Sequence, residues 1–240
     1  MKISKFILVA GVVCISACCV LRITSYSSIK GNGNLVTSEE TVSRFEKINC
    51  TGSAEVRFHA SEKYRTVVTI DENLEEYVDI FINNNVLNIG TKNMHSISPT
   101  KFTVDVYCPV LTGVSMSGSG SFKNANKIIA STFESKVSGS GKIEGAIECD
   151  NYSATISGSG KITIYGKCNE VNVTVSGSGN FNGNELITRN AAVRISGSGK
   201  VNICVAENLK AKISGSGSIN YSGEPKVDSN ISGSGRIRKL

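Results

Sequence analysis

Ile156-Ser157-Gly158-Ser159-Gly160-Lys161-Ile162 is the stretch on which the reading of this fold turns. Its Ser-Gly-Ser-Gly centre occurs seven times, beginning at Ser117, Ser138, Ser157, Ser176, Ser196, Ser214 and Ser232. The intervals are 21, 19, 19, 20, 18 and 18 residues. A fixed period near twenty residues marks units that stack, because each alone has too little to bury. A flexible Gly/Ser linker would lack the apolar residues that bracket every copy.

The bracketing residues fall in columns. Directly before the tetrapeptides stand Met116, Val137, Ile156, Val175, Ile195, Ile213 and Ile231. Four positions before each tetrapeptide's own neighbour come Thr112, Phe133, Tyr152, Val171, Ala191, Leu209 and Val227, and two positions after the motif come Phe122, Ile143, Ile162, Phe181, Val201, Ile219 and Ile237. Every step is even, so on a strand these positions share one face. The same parity predicts both glycines inward and both serines outward. Inward glycine avoids the neighbouring coil and permits a sharp bend, while the serines would line up as two files of hydroxyls. The architecture is all-β: a parallel β-helix of about seven regular coils, right-handed by the usual crossover chirality.

The regular coils occupy residues 111–240, after an irregular β part at 41–110, so 41–240 reads as one domain. Cys50-Thr-Gly-Ser-Ala-Glu-Val56 has the spacing of Met116-Ser-Gly-Ser-Gly-Ser-Phe122 and reads as a degenerate early coil. Terminal units of a repeat array are expected to be atypical. Asn83-Asn84-Asn85 marks a hairpin connection. Residues 19–40 are polar and patternless, a tether.

The first 17 residues read as a lipoprotein signal peptide. Lys2 and Lys5 form a positive start, Phe6 to Ile15 an apolar run, and Ser16 and Ala17 precede Cys18. Ile15-Ser16-Ala17-Cys18 resembles a lipobox, with Cys18 as the lipidation site and residues 18–40 as anchor and tether. The alternative is an ordinary signal peptide or an uncleaved anchor, although the apolar run is short for a bilayer span. Acylation would hold the chain on a membrane. The expected location is the bacterial cell envelope, as an outer-membrane lipoprotein. Cys19-Val20-Leu21-Arg22 is not acidic, which favours the periplasmic side.

The 240 residues carry a formal charge of +6, and loss of Lys2 and Lys5 leaves +4. Without a run of Lys or Arg, nucleic acid is not an expected partner. The chain has eight cysteines and no Cys-x-x-Cys pair, so zinc and thioredoxin-like chemistry lack support. Cys149 and Cys168 each lie 11 residues after the start of a tetrapeptide, which makes them vertical neighbours. Two readings stay open: a disulfide, which strand spacing permits, or two small apolar residues stacked in a core.

Phe45-Glu-Lys-Ile48, Gly52-Ser-Ala-Glu-Val56, Val67-Val-Thr-Ile70-Asp-Glu-Asn-Leu74 and Val86-Leu-Asn-Ile89, followed by serial Ser-Gly-Ser-Gly coils, resemble the putative auto-transporter adhesin, head GIN domain family. The resemblance covers about Glu40 to Leu240. It implies a β-helical, non-enzymatic, envelope-associated protein of a kind common in Bacteroidetes, and it transfers no ligand residues.

Catalytic chemistry on such a scaffold needs clustered carboxylates. Asp71, Asp79, Asp105, Asp150 and Asp228 are scattered. Asp71-Glu72 and Glu75-Glu76 read as a solvated turn, and His59 and His95 as surface residues without partners. No cofactor or metal is expected. One column is a candidate site. Directly after the tetrapeptides stand Ser121, Lys142, Lys161, Asn180, Lys200, Ser218 and Arg236, pointing outward. Lys142, Lys161, Lys200 and Arg236 could form a basic strip for an anionic glycan or lipid headgroup, or merely keep a flat β face soluble. The expected function is non-catalytic, adhesin-like binding of a surface or glycan. The rivals are a carbohydrate-active enzyme with its groups in residues 41–110, and an assembly module that self-associates through exposed end coils.

Overall fold

The computed structural model describes residues 28–240. The signal-peptide and Cys18 readings lie outside the described residues. The chain forms a β-solenoid of about seven turns. Its body is four long strands, Lys142–Gly158, Lys161–Gly177, Asn180–Gly197 and Lys200–Gly215, each bent around most of one coil. Neighbours pair in parallel and in register, so Ser138, Ser157, Ser176, Ser196, Ser214 and Ser232 stand in one file. A second bend, where the ladder skips a residue, falls at Ser131, Asp150, Asn169 and Arg189.

The apolar columns fill the interior. Met116, Val137, Ile156, Val175, Ile195 and Ile213 are buried, as are Phe122, Ile143, Ile162, Phe181, Val201 and Ile219. Phe133, Tyr152 and Phe181 form an aromatic stack inside the coil, with ring centroids 6.0 and 6.3 Å apart. Burial of these side chains is the main stabilising term, about 1.5–3 kcal/mol for each large one.

The glycine prediction holds for only one of the two. The second glycine of each motif is inward: a Cβ on Gly179 would lie 2.3 Å from the Ile156 Cγ2 of the coil before, and Gly160 meets Val137 Cγ1 in the same way. The γ-methyl of a β-branched residue thus occupies the space the glycine leaves. The first glycine is not inward. Gly158 and Gly177 are exposed, with φ of +111° and +106°. Strict alternation fails there because the chain is turning a corner in the left-handed region, which only glycine enters cheaply. Both serines point outward as expected.

The irregular part is threaded out of sequence order. Lys47–Gly52 and Glu55–Ala60 pair with Gly113–Gly118 and Ser121–Asn124, matching Cys50 to Met116 and Val56 to Phe122. The degenerate coil is therefore a true coil. Below it, rather than above, lie Val86–Thr91 and Phe102–Cys108. The chain then climbs past one coil through Thr112, whose amide donates to the Glu46 carbonyl at 2.8 Å.

Antiparallel strands close the lower end. Arg65–Asp71 pairs with Phe102–Cys108 on one side and with Leu35–Thr41 on the other. Val78–Asn83 and Val86–Thr91 form the expected hairpin, with Asn84 and Asn85 at φ of +51° and +61°. The tether prediction needs shortening: Ile29–Lys30 and Leu35–Thr41 are strands of the fold. Their Thr/Ser/Glu-rich sequence has little hydrophobic alternation because Leu35–Thr41 is an edge strand with one mostly exposed face. Among the described residues the upper end has no such cover. Lys226–Ser232 is exposed throughout, with Ile231 44% accessible, although its residues continue the inward columns.

Candidate functional site

The outward column after the tetrapeptides is a continuous file. Register pairs run Glu55, Ser121, Lys142, Lys161, Asn180, Lys200, Ser218, Arg236. Lys142 and Lys161 are nearest neighbours at about one strand spacing of 4.8 Å, and Lys200 follows two coils on. All four predicted cations are exposed. The positions are rigid because each backbone is tied to the coil before: the Lys142 and Lys161 amides donate to the Gly120 and Gly141 carbonyls, both at 3.0 Å.

Beside the strip runs a second outward column of Lys123, Glu144, Thr163, Asn182, Asn202 and Asn220. Asn220 Nδ2 donates to Asn202 Oδ1 at 2.8 Å. A shallow groove between the columns is lined by Ser119, Ser121, Lys142, Glu144, Lys161 and Thr163. Among the described residues, Lys142, Lys161, Lys200 and Arg236 make no ion pair. Two ammonium groups one strand apart repel by roughly 1 kcal/mol even in water. An anion spanning them relieves that repulsion. The site is therefore chemically suited to an extended anionic or hydroxyl-rich surface rather than to a small enclosed ligand.

The sequence reading missed a second basic face. One position before the motif neighbours, the outward column Thr174, Arg194, Lys212, Asn230 stands next to Asn172, Ala192, Lys210, Asp228. The parity rule that revealed the first strip also locates this one on the other side of the tetrapeptide corner.

The lower end is richer in contacts than the sequence suggested. His59 Nε2 lies 2.7 Å from Asp105 Oδ1. Its ring stacks on Tyr107 with centroids 4.6 Å apart, and the Arg65 guanidinium sits 3.8 Å over the Tyr107 ring. His59 thus has partners on a neighbouring strand, with Asp105 lying 46 residues away in sequence. Among the described residues no hydroxyl or thiol bonds its other ring nitrogen, so the pair lacks the nucleophile that covalent catalysis needs.

Asp71 is not in a solvated turn. It is buried. Its carboxylate accepts the Gly33 amide at 2.8 Å, the Thr100 amide at 2.8 Å and the Thr100 hydroxyl at 2.7 Å. Burial alone pushes this carboxyl up, but the hydrogen bonds from Thr100 and Gly33 outweigh it and hold the group below its ordinary value. A Cβ at Gly31 would lie 2.4 Å from the carboxylate carbon, so the loop approaches without a side chain. Asp71 is a structural clamp.

Among the described residues, no three His, Cys, Asp or Glu side chains are grouped to hold a metal ion. No helix among them is long and apolar enough to cross a membrane. Cys50 and Cys108 are buried thiols, each pushed up to about 12 by burial. Cys149 and Cys168 are register partners on adjacent coils, with the Cys149 Sγ 3.4 Å from the Cys168 Sγ.

The family described as "Putative auto-transporter adhesin, head GIN domain" matches residues 44–225. No curated protein matches the chain. A solved structure described as a putative lipid binding protein from Parabacteroides distasonis is 28% identical, with TM-score 0.74 over 89% of this chain and 100% of that one. A putative adhesin from Parabacteroides merdae is 26% identical, with TM-score 0.72 over 89% of this chain and 99% of its own. A putative adhesin from Bacteroides fragilis is 20% identical and shares the fold, with TM-score 0.82 over 89% and 100% of the two chains.

Proposed function

Because this chain belongs to the putative auto-transporter adhesin, head GIN domain family, we propose that it is a non-catalytic, lipid-anchored envelope protein that binds an anionic surface through its lysine strip. The observation that carries this reading is the unpaired, exposed file of Lys142, Lys161, Lys200 and Arg236 on a rigid ladder. A flat β face fixes its cations at a regular spacing, so an extended polymer or a sheet of headgroups meets several at once. Such binding is weak per contact and gains from multiplicity. The anchor is Cys18, which would place the strip in the outer-membrane region, on the periplasmic side. The non-enzymatic reading is supported by the family's adhesin-like character.

Anionic lipid headgroups are a second ligand source with the same chemistry, favoured by the lipid-binding description of the Parabacteroides distasonis relative. One assay separates the sources. The full chain is offered anionic polysaccharides and, in a second arm, vesicles with and without anionic phospholipid, at low and high salt. Lys142→Glu/Lys161→Glu/Lys200→Glu should lower affinity at least tenfold at low salt and abolish the salt dependence. Equal binding by the triple variant and the unchanged chain removes the strip. Cys18→Ser should shift the chain from the membrane pellet to the soluble fraction without altering the strip's binding. Retention in the pellet would remove the anchor.

A further inference from the structure

We infer that Cys149 and Cys168 are an oxidation site, joined coil to coil as a disulfide by exchange with a disulfide-bearing oxidant. The two residues are opposite one another in the parallel ladder. In-register Cα atoms about 4.8 Å apart lie inside the range of roughly 4.4–6.8 Å that a disulfide spans. The sulfurs already stand 3.4 Å apart, so bond formation draws them together by a little over 1 Å. Among the described residues no other thiol stands in this file. Above and below in the same file stand Ala130 and Thr188. Cys204 belongs to the neighbouring file, opposite Ile187.

The pair is reachable. It lies beside the second bend of the coil, in an open groove whose walls include Glu148, Asp150, Lys167, Asn169 and Arg189. Cys149 is half-buried, Cys168 is more deeply buried, and both line this groove. One of the two thiolates attacks one sulfur of the oxidant, giving a mixed disulfide and releasing the oxidant's first thiolate. The other thiolate then attacks the protein sulfur of that mixed disulfide and expels the second thiolate. The protein loses two protons and two electrons, and the oxidant's S–S bond is reduced to two thiols. Cys50 and Cys108, both buried and on other coils, take no part.

Trypsin makes the test direct, because Cys149 and Cys168 fall in separate peptides, 143–161 and 168–189, each with one cysteine. The folded full chain is treated with oxidised glutathione, quenched in acid, alkylated and digested. The expected product is a peptide pair 143–161/168–189 that is two hydrogens lighter than its parts and separates on reduction. Cys149→Ser should abolish the pair and leave Cys168 alkylated. Recovery of both peptides fully alkylated after oxidation overturns the inference, as does a pair linking either one to the peptide of Cys204.

Discussion

The two glycines of each motif serve different ends. Gly177 turns the corner at φ +106°, and a Cβ there would meet the Gly158 carbonyl oxygen at 2.7 Å. Gly179 leaves room for Ile156. Ser178 between them is exposed and only its amide is needed, donating to the Gly158 carbonyl at 2.9 Å. The expected order of damage follows. Gly177→Ala costs about 1–3 kcal/mol through backbone strain and collision. Gly179→Ala costs about 1–3 kcal/mol through overpacking. Ser178→Ala stays within about 0.5 kcal/mol of the parent. Denaturant melts of the three variants check this, and an equal loss in Ser178→Ala would contradict the division of roles. The columns were legible in the sequence because even spacing is read without knowing any neighbour. The first glycine was misplaced because parity counting assumes an extended chain through a corner.

At the level of elements, the lower end depends on Asp71. The carboxylate ties the loop at Gly33 to the segment at Thr100 and so holds the outer strand Leu35–Thr41 against Arg65–Asp71. Because its folded pKa is depressed, the stabilisation is present above its unfolded value of about 3.9 and is lost as pH falls through the lower folded value. Asp71→Asn should therefore lower Tm at neutral pH, and the gap from the parent should shrink as pH drops below about 4. A gap that stays constant with pH would show that the charge is not what matters. The clamp was invisible beforehand because its donors lie 38 and 29 residues from Asp71. The same reason hid Asp105 behind His59. Local pattern marked the coil at Cys50–Val56 and the hairpin at Asn83–Asn85, but not the edge strand Leu35–Thr41, nor the order in which the strands stack, since the chain passes back across a coil it has already built.

The molecule as a whole is a ladder with unlike ends. The lower is closed by antiparallel strands, and the upper exposes Val227 and Ile231 under a basic edge of Lys226, Arg236, Arg238 and Lys239. Like charges along an open edge discourage pairing with a second copy of the same edge. Between the ends, the strip and the thiol pair both owe their geometry to register: residues a coil apart become neighbours only if every tetrapeptide sits on the one before. Spin labels carried on genetically encoded non-cysteine side chains test that register most directly. Ser117 is paired in turn with Ser196, Ser214 and Ser232, all exposed and all in one file. Stacked coils give electron–electron distances that rise in even steps near 19, 24 and 29 Å, each step about 4.8 Å. Distances that are broad, or that fail to rise with coil number, would contradict the ladder.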